Sequence, residues 1–201
     1  GSAFVVRTFD PLIKEVERKK ILALRRMGKR IVIELEEDLF LIVHLMIAGR
    51  LHWKPQGAKI ARKYGQAAID FPNGTLLLTE AGTKKRASIH LVRGEAALQE
   101  YDPGGLEIFD MTLEQFTAAL TRENHTLKRS LTDPHLFSGI GNAYSDEILH
   151  RAKLSPIRLT KQMTAIEIER LYDAVRESMA EWIERLRKER GSGFPEKVTA
   201  F

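Results

Sequence analysis

Apolar and polar positions follow two different periods along the chain, and the change falls near its middle. In the first half, Phe4 to Thr8, Lys29 to Leu35, Leu39 to Leu45, Gln66 to Phe71, Thr75 to Thr79 and Ala87 to Val92 are short runs. They are β-branched or alternating, separated by turn residues, and predict strands. Asn73-Gly74 between two of these runs predicts a hairpin, because both residues tolerate positive φ. An antiparallel sandwich or barrel follows.

In the second half the period lengthens. Thr112 to Gln115 and Thr164 to Glu167 both match the capping box, in which a Thr hydroxyl and an acid or amide three residues on satisfy free backbone donors. From Glu167 to Arg190 the apolar residues Ile168, Leu171, Val175, Met179, Trp182, Ile183 and Leu186 recur every three or four positions, predicting one long amphipathic helix ended at Gly191. The fold class expected is therefore α+β: a β domain over residues 1–100, a linker over 101–111 marked by Asp-Pro-Gly-Gly, and a helical domain over 112–201.

Composition adds a partner class. Lys and Arg total 32 against 27 Asp and Glu, and the charge is segregated. Between Asp38 and Asp70 the charges are Arg50, Lys54, Lys59, Arg62 and Lys63, and between Glu80 and Glu95 they are Lys84, Lys85, Arg86 and Arg93. Basic stretches of this kind suit a surface that tracks a phosphate backbone. There is no cysteine, so disulfides and thiolate metal sites are excluded within these residues. No apolar run reaches the length of a membrane span, and no signal-peptide pattern opens the chain, so a soluble, intracellular chain is the expectation.

The candidate chemistry lies between Asn124 and Pro156. Ser138-Gly-Ile-Gly-Asn-Ala-Tyr144 places two glycines around one apolar residue just before a helix. Gly139 and Gly141 allow backbone to approach a phosphate, while Asn142 and the first free helix amides donate to it. With Lys128 upstream and Leu154-Ser-Pro156 downstream, this segment resembles the helix-two-turns-helix module of the formamidopyrimidine-DNA glycosylase and endonuclease VIII family. The likeness continues backward through Arg25-Arg26-Met27-Gly28-Lys29 and His44-Leu-Met-Ile-Ala-Gly49.

The resemblance implies a bifunctional glycosylase and abasic-site lyase acting on duplex DNA with a damaged base or abasic site. It assigns phosphate contacts to Lys128 and Asn142, with Asn124, Gly139 and Gly141 in the same cradle, and support of β-elimination to Lys29. Ile47 takes the place of a methionine that fills the void left by the flipped base; the competing reading makes it an ordinary core residue. Tyr64, Lys84, Lys85 and Arg86 are further expected DNA contacts. His44 and Glu147 are read as structural groups.

The sequence departs from the family pattern in three places. The Pro-Glu start that supplies nucleophile and acid is not among these residues, nor is the C-terminal finger, with or without its zinc. The expectation is a fragment that binds DNA, uses no cofactor or metal and is catalytically silent alone. Internally, Gly82-Thr-Lys-Lys-Arg-Ala-Ser88 stands where the family carries an aromatic wedge. A non-catalytic nucleic-acid binder built on the same helical module is the rival reading.

Overall fold

The structure, a computed structural model, describes residues 5–61, 63–191 and 194. The described residues up to Tyr101 form one compact unit, and Asp102–Gly191 form another.

Seven strands build the first unit: β1 (Ile21–Met27), β2 (Arg30–Leu35), β3 (Leu39–His44), β4 (Gly49–Lys54), β5 (Gly65–Phe71), β6 (Gly74–Glu80) and β7 (Ser88–Arg93). They form two antiparallel sheets, ordered β1-β2-β3-β7 and β4-β6-β5. Ile33, Leu35, Leu41, Val43, Ile89 and Leu91 of the first sheet share a core with Leu78 of the second, against which Leu51, Ala67 and Ile69 also pack. The other face of the first sheet buries Val32, Phe40, Ile42 and Val92 beneath Leu98 of α1 (Glu95–Gln99). Burial on both faces explains why β3 reads as an unbroken apolar run.

Three expectations change. The predicted strand from Phe4 to Thr8 is a single parallel bridge between Val6 and Ile89, and Phe4 itself lies outside the described residues. Strands β1 and β4 were not expected; β1 sits at the sheet edge with Leu22 and Leu24 exposed, so no alternation marks it. The hairpin at Asn73-Gly74 exists, but Phe71 pairs with Gly74, so its two turn residues are Pro72 and Asn73. Among the described residues neither Asn73 nor Gly74 has positive φ. Gly74 is needed for a different reason: a Cβ there would collide with the ring of Trp53, which stacks on Phe71.

The second unit holds α2 (Leu113–Thr121), α3 (Leu127–Thr132), α4 (Asn142–Ala152) and α5 (Ala165–Arg190). Both capping boxes form. Thr112 Oγ1 accepts from Gln115 N at 3.2 Å while Gln115 Oε1 accepts from Thr112 N at 2.8 Å. Thr164 and Glu167 exchange the same bonds at 3.3 and 2.9 Å. Helix α5 ends at Gly191, φ +52°, and buries Ile168, Leu171 and Val175 against Phe116, Phe137 and Ile148.

Residues 102–111 are not a free linker. Leu106, Ile108 and Met111 pack into the helical core, and Leu106 exchanges backbone hydrogen bonds with Leu136 and Ser138. The boundary therefore falls at Tyr101, because apolar side chains beyond Asp-Pro-Gly-Gly have a core to join.

Candidate nucleic-acid interface

In the β unit the candidate residues occupy turns and loops at strand ends. Lys29 sits on the two-residue turn between β1 and β2, flanked by the Met27–Arg30 pair. Gly28 has φ +57°, the left-handed conformation that such a turn requires. Arg26 donates to the Gly28 carbonyl at 2.9 Å and stiffens the turn. Although Lys29 as a whole is exposed, partial burial of its amine and then the charge of Arg30 hold its pKa below the usual lysine value.

The histidines nearby share this field. His44 pairs directly across from Arg30 and from Ser88, and His90 pairs with Ile42 on the same strand. Burial, followed by Arg30, Lys29 and His90, lowers the pKa of His44. Burial, followed by Arg7 and Arg30, lowers that of His90, whose Nδ1 lies 3.2 Å from the Tyr101 hydroxyl. Both imidazoles are thus neutral near pH 7. The sequence reading of His44 as a structural group left out His90, which only the β7 pairing brings to it.

Ile47 is not a core residue. It stands 78% exposed on the turn from Leu45 to Ala48. That turn is closed by a hydrogen bond from Gly49 N to Leu45 O at 2.9 Å and braced by Arg50, which donates to the carbonyls of Ile47 and Gly49. A Cβ at Gly49 would strike the Leu45 carbonyl, so the close approach needs glycine.

The basic loop beside it is organised by a residue that sequence reasoning missed. Glu80 is 1% exposed, and its carboxyl group accepts from Arg86 N at 2.8 Å and from Ala87 N at 3.2 Å. Its backbone N donates to Tyr64 O, and its carbonyl accepts from the Lys85 amine. Lys85 and Lys63 both lie over the Tyr64 ring, 5.6 and 5.1 Å from its centroid. Lys84, Lys85 and Arg86 are exposed, and Gly82 lies near the Ile47 turn, since a Cβ built on it would be 3.4 Å from Ala48. The available signal was Glu80 itself, the acid that opens a wholly basic stretch.

In the helical unit the candidate site is mostly backbone. Gly139 has φ +86°, which reserves the position for glycine; Gly141, at φ −115°, is ordinary extended chain. Gly141 precedes α4 without any side-chain cap, and the bond from Ser145 N to Gly141 O is the first of the helix. The amides ahead of Ser145 therefore face out of the helix end, where the helix dipole favours an anion. Asn142 is exposed at this end, and Ile140, 1% exposed, anchors the turn in the core.

Lys128 lies in the same unit, on α3, and the structure gives it a partner that the sequence did not suggest. Its amine donates to both carboxyl oxygens of Asp146, at 2.6 and 2.7 Å. Asn124 accepts from Lys161 N at 3.3 Å, so part of its amide serves the fold. Among the described residues no His, Cys, Asp and Glu cluster suits a metal ion, and no helix is long and apolar enough to cross a membrane.

Comparison with known proteins places the two units in one family. Residues 3–86 match the model of the formamidopyrimidine-DNA glycosylase N-terminal domain, and residues 106–192 that of the formamidopyrimidine-DNA glycosylase H2TH domain. Curated relatives named formamidopyrimidine-DNA glycosylase include that of Pelotomaculum thermopropionicum, 35% identical over 170 residues, covering 83% of this chain and 61% of the relative. That of Heliobacterium modesticaldum is 32% identical over 171 residues, with 83% and 62% covered. The chain thus spans about three fifths of the length of these relatives. Among solved structures, Lactococcus lactis Fpg (MutM) in complex with a FAPY-dG-containing DNA superimposes with a TM-score of 0.78 at 27% identity, covering 85% of this chain and 65% of that one. The same protein with an abasic-site-containing DNA gives 0.78 and 27%, with 85% and 64% covered. Two domain models of one family, matched in order along the chain, and a shared fold show that this chain belongs to the formamidopyrimidine-DNA glycosylase family.

Proposed function

We propose that the chain is the DNA-holding part of a base-excision repair glycosylase and abasic-site lyase, acting as a cytoplasmic monomer on duplex DNA with an oxidised base or an abasic site. The observation that carries this reading is the uncapped start of α4 behind the Gly139 turn, with Asn142 and Lys128 beside it. Solved neighbours of the same fold hold FAPY-dG-containing and abasic-site-containing DNA, which supports the reading. Curated relatives named as glycosylases favour it over a non-catalytic binder.

In this reading the α4 amides, Asn142 and Lys128 grip phosphate and fix the register without reading sequence. Ile47, exposed and braced, enters the space vacated by a flipped base, and Lys84 and Arg86 lie against the backbone. Lys29 stabilises the departing phosphate during β-elimination: its lowered pKa in the free protein is restored once an anion sits beside it.

The 201-residue polypeptide by itself is proposed to bind without excising the base. The amine Lys29 offers is carried on a turn and only partly buried, whereas Schiff-base attack needs the reacting atoms held close together. The test is binding to duplex DNA carrying an abasic-site analogue at increasing salt, together with borohydride trapping on true abasic DNA. Affinity that falls steeply with salt, with little covalent capture, is expected. Failure to bind at low salt would sink the DNA reading; efficient capture mapped to Lys29 or Gly1 would show that these residues perform the lyase step unaided.

A further inference from the structure

The ion pair of Lys128 has a consequence for the phosphate site. Its amine spends two donors on the Asp146 carboxyl group, and the side chains of both residues are partly open to solvent, 37% and 55% exposed. Asp146 lies on α4 four residues after Asn142, one helical turn along and about 6 Å from it. A phosphate at the helix start therefore meets a carboxylate just below its landing point. Lys128 and Asp146 together present no net charge to it.

We propose that Asp146 is an electrostatic mask on Lys128, which sets the strength and salt dependence of the phosphate contact. The proposal rests on the DNA-binding reading given above. A free lysine that neutralises a phosphate releases about one counterion, whereas a lysine already facing a carboxylate does so only after the pair opens. Exposed ion pairs are weak, so the pair yields to DNA rather than blocking it. A unit charge about 6 Å from a phosphate in water changes a binding constant about threefold. Asp146 thus keeps a contact built from strong elements deliberately soft.

The opposite role is also physically definable: Asp146 could hold Lys128 in place and so strengthen binding. The two differ in sign. The experiment measures anisotropy of a labelled duplex containing an abasic-site analogue, between about 50 and 200 mM salt, for the 201-residue chain and for Lys128→Ala, Asp146→Asn, Asp146→Glu and the Lys128→Ala/Asp146→Asn pair. All sites are exposed or partly so, and far-ultraviolet dichroism confirms folding.

Masking predicts that Asp146→Asn binds about threefold tighter, with a slope of log K against log salt steeper by up to about one unit. Asp146→Glu stays near the parent, and the double variant falls back towards it. Lys128→Ala removes more slope in the Asp146→Asn background than in the parent. Weaker binding by Asp146→Asn, or an equal loss of slope in both backgrounds, overturns the proposal while leaving DNA binding intact. No binding by any variant at low salt overturns the DNA reading and the proposal with it.

Discussion

The β unit and the helical unit hold their candidate DNA-facing groups by different means. At the start of α4 the groups are backbone amides, placed by the helix itself and by one glycine with positive φ. In the β unit they are side chains on turns and loops, where no ladder of backbone bonds sets the conformation. There the basic loop depends on one buried carboxyl group, that of Glu80, with the Arg86 carbonyl accepting from Arg7 at 3.1 Å. A site made of helix ends tolerates loss of a single side chain better than a loop whose backbone amides share one carboxyl group as acceptor.

That contrast is broken or confirmed by paired substitutions. Glu80→Ala leaves the buried amide of Ala87 and the amide of Arg86 without their acceptor, which costs about 2 to 4 kcal/mol. Thr164→Ala removes one hydroxyl from a capping box, which costs about 1 kcal/mol. Denaturant unfolding of both variants should therefore rank Glu80→Ala as clearly the more damaging, with faster hydrogen exchange at the amides of residues 86 and 87. If Thr164→Ala costs as much, the loop is held by more than Glu80 and the contrast fails.

The same division governs how much was legible in the sequence. Capping boxes, the long period of α5 and the glycine turn are local rules, read from residues three or four apart, and the structure forms each of them. The two-sheet architecture was also legible, but β1 was not, because an exposed edge strand shows no alternation. The position of Gly74 was right and its reason was not: packing against Trp53, brought by β4, decides it. Glu80 and Asp146 were missed since each acts on residues that chain folding, not spacing, delivers. The Gly139 turn ahead of α4 could be read from the sequence; the ion pair between Lys128 and Asp146 could not.

A smaller effect should distinguish the units by pH. His44 and His90, both in the β unit, have folded pKa values below their unfolded value of about 6.5. Below that pH the unfolded state binds more protons than the folded one, so stability rises with pH across the window from the lowered folded values to about 6.5. The groups are partly solvated, so the loss on acidification is modest. Replacing both by Gln should flatten the unfolding midpoint between pH 7 and about 5. A midpoint that falls just as steeply in the double variant would place the acid sensitivity elsewhere.

The smallest effect on stability belongs to Ile47, and it sharpens the comparison because it separates folding from binding. An isoleucine truncated in a core costs several kcal/mol through lost burial and the cavity left behind, about 2 to 5. Ile47 is 78% exposed, and the turn that carries it is held by Gly49 and Arg50 acting on backbone atoms. Its side chain contributes little to that turn. Ile47→Ala should therefore leave the unfolding free energy within about 0.5 kcal/mol of the parent. If the exposed side chain fills the space beside an absent base, the same variant loses affinity for a duplex with an abasic-site analogue but not for an intact duplex, where there is no space to fill. Ile47→Met, which restores apolar reach, should recover the difference. A large loss of stability would return Ile47 to the core. Equal binding losses on both duplexes would mean that the turn touches DNA without entering it.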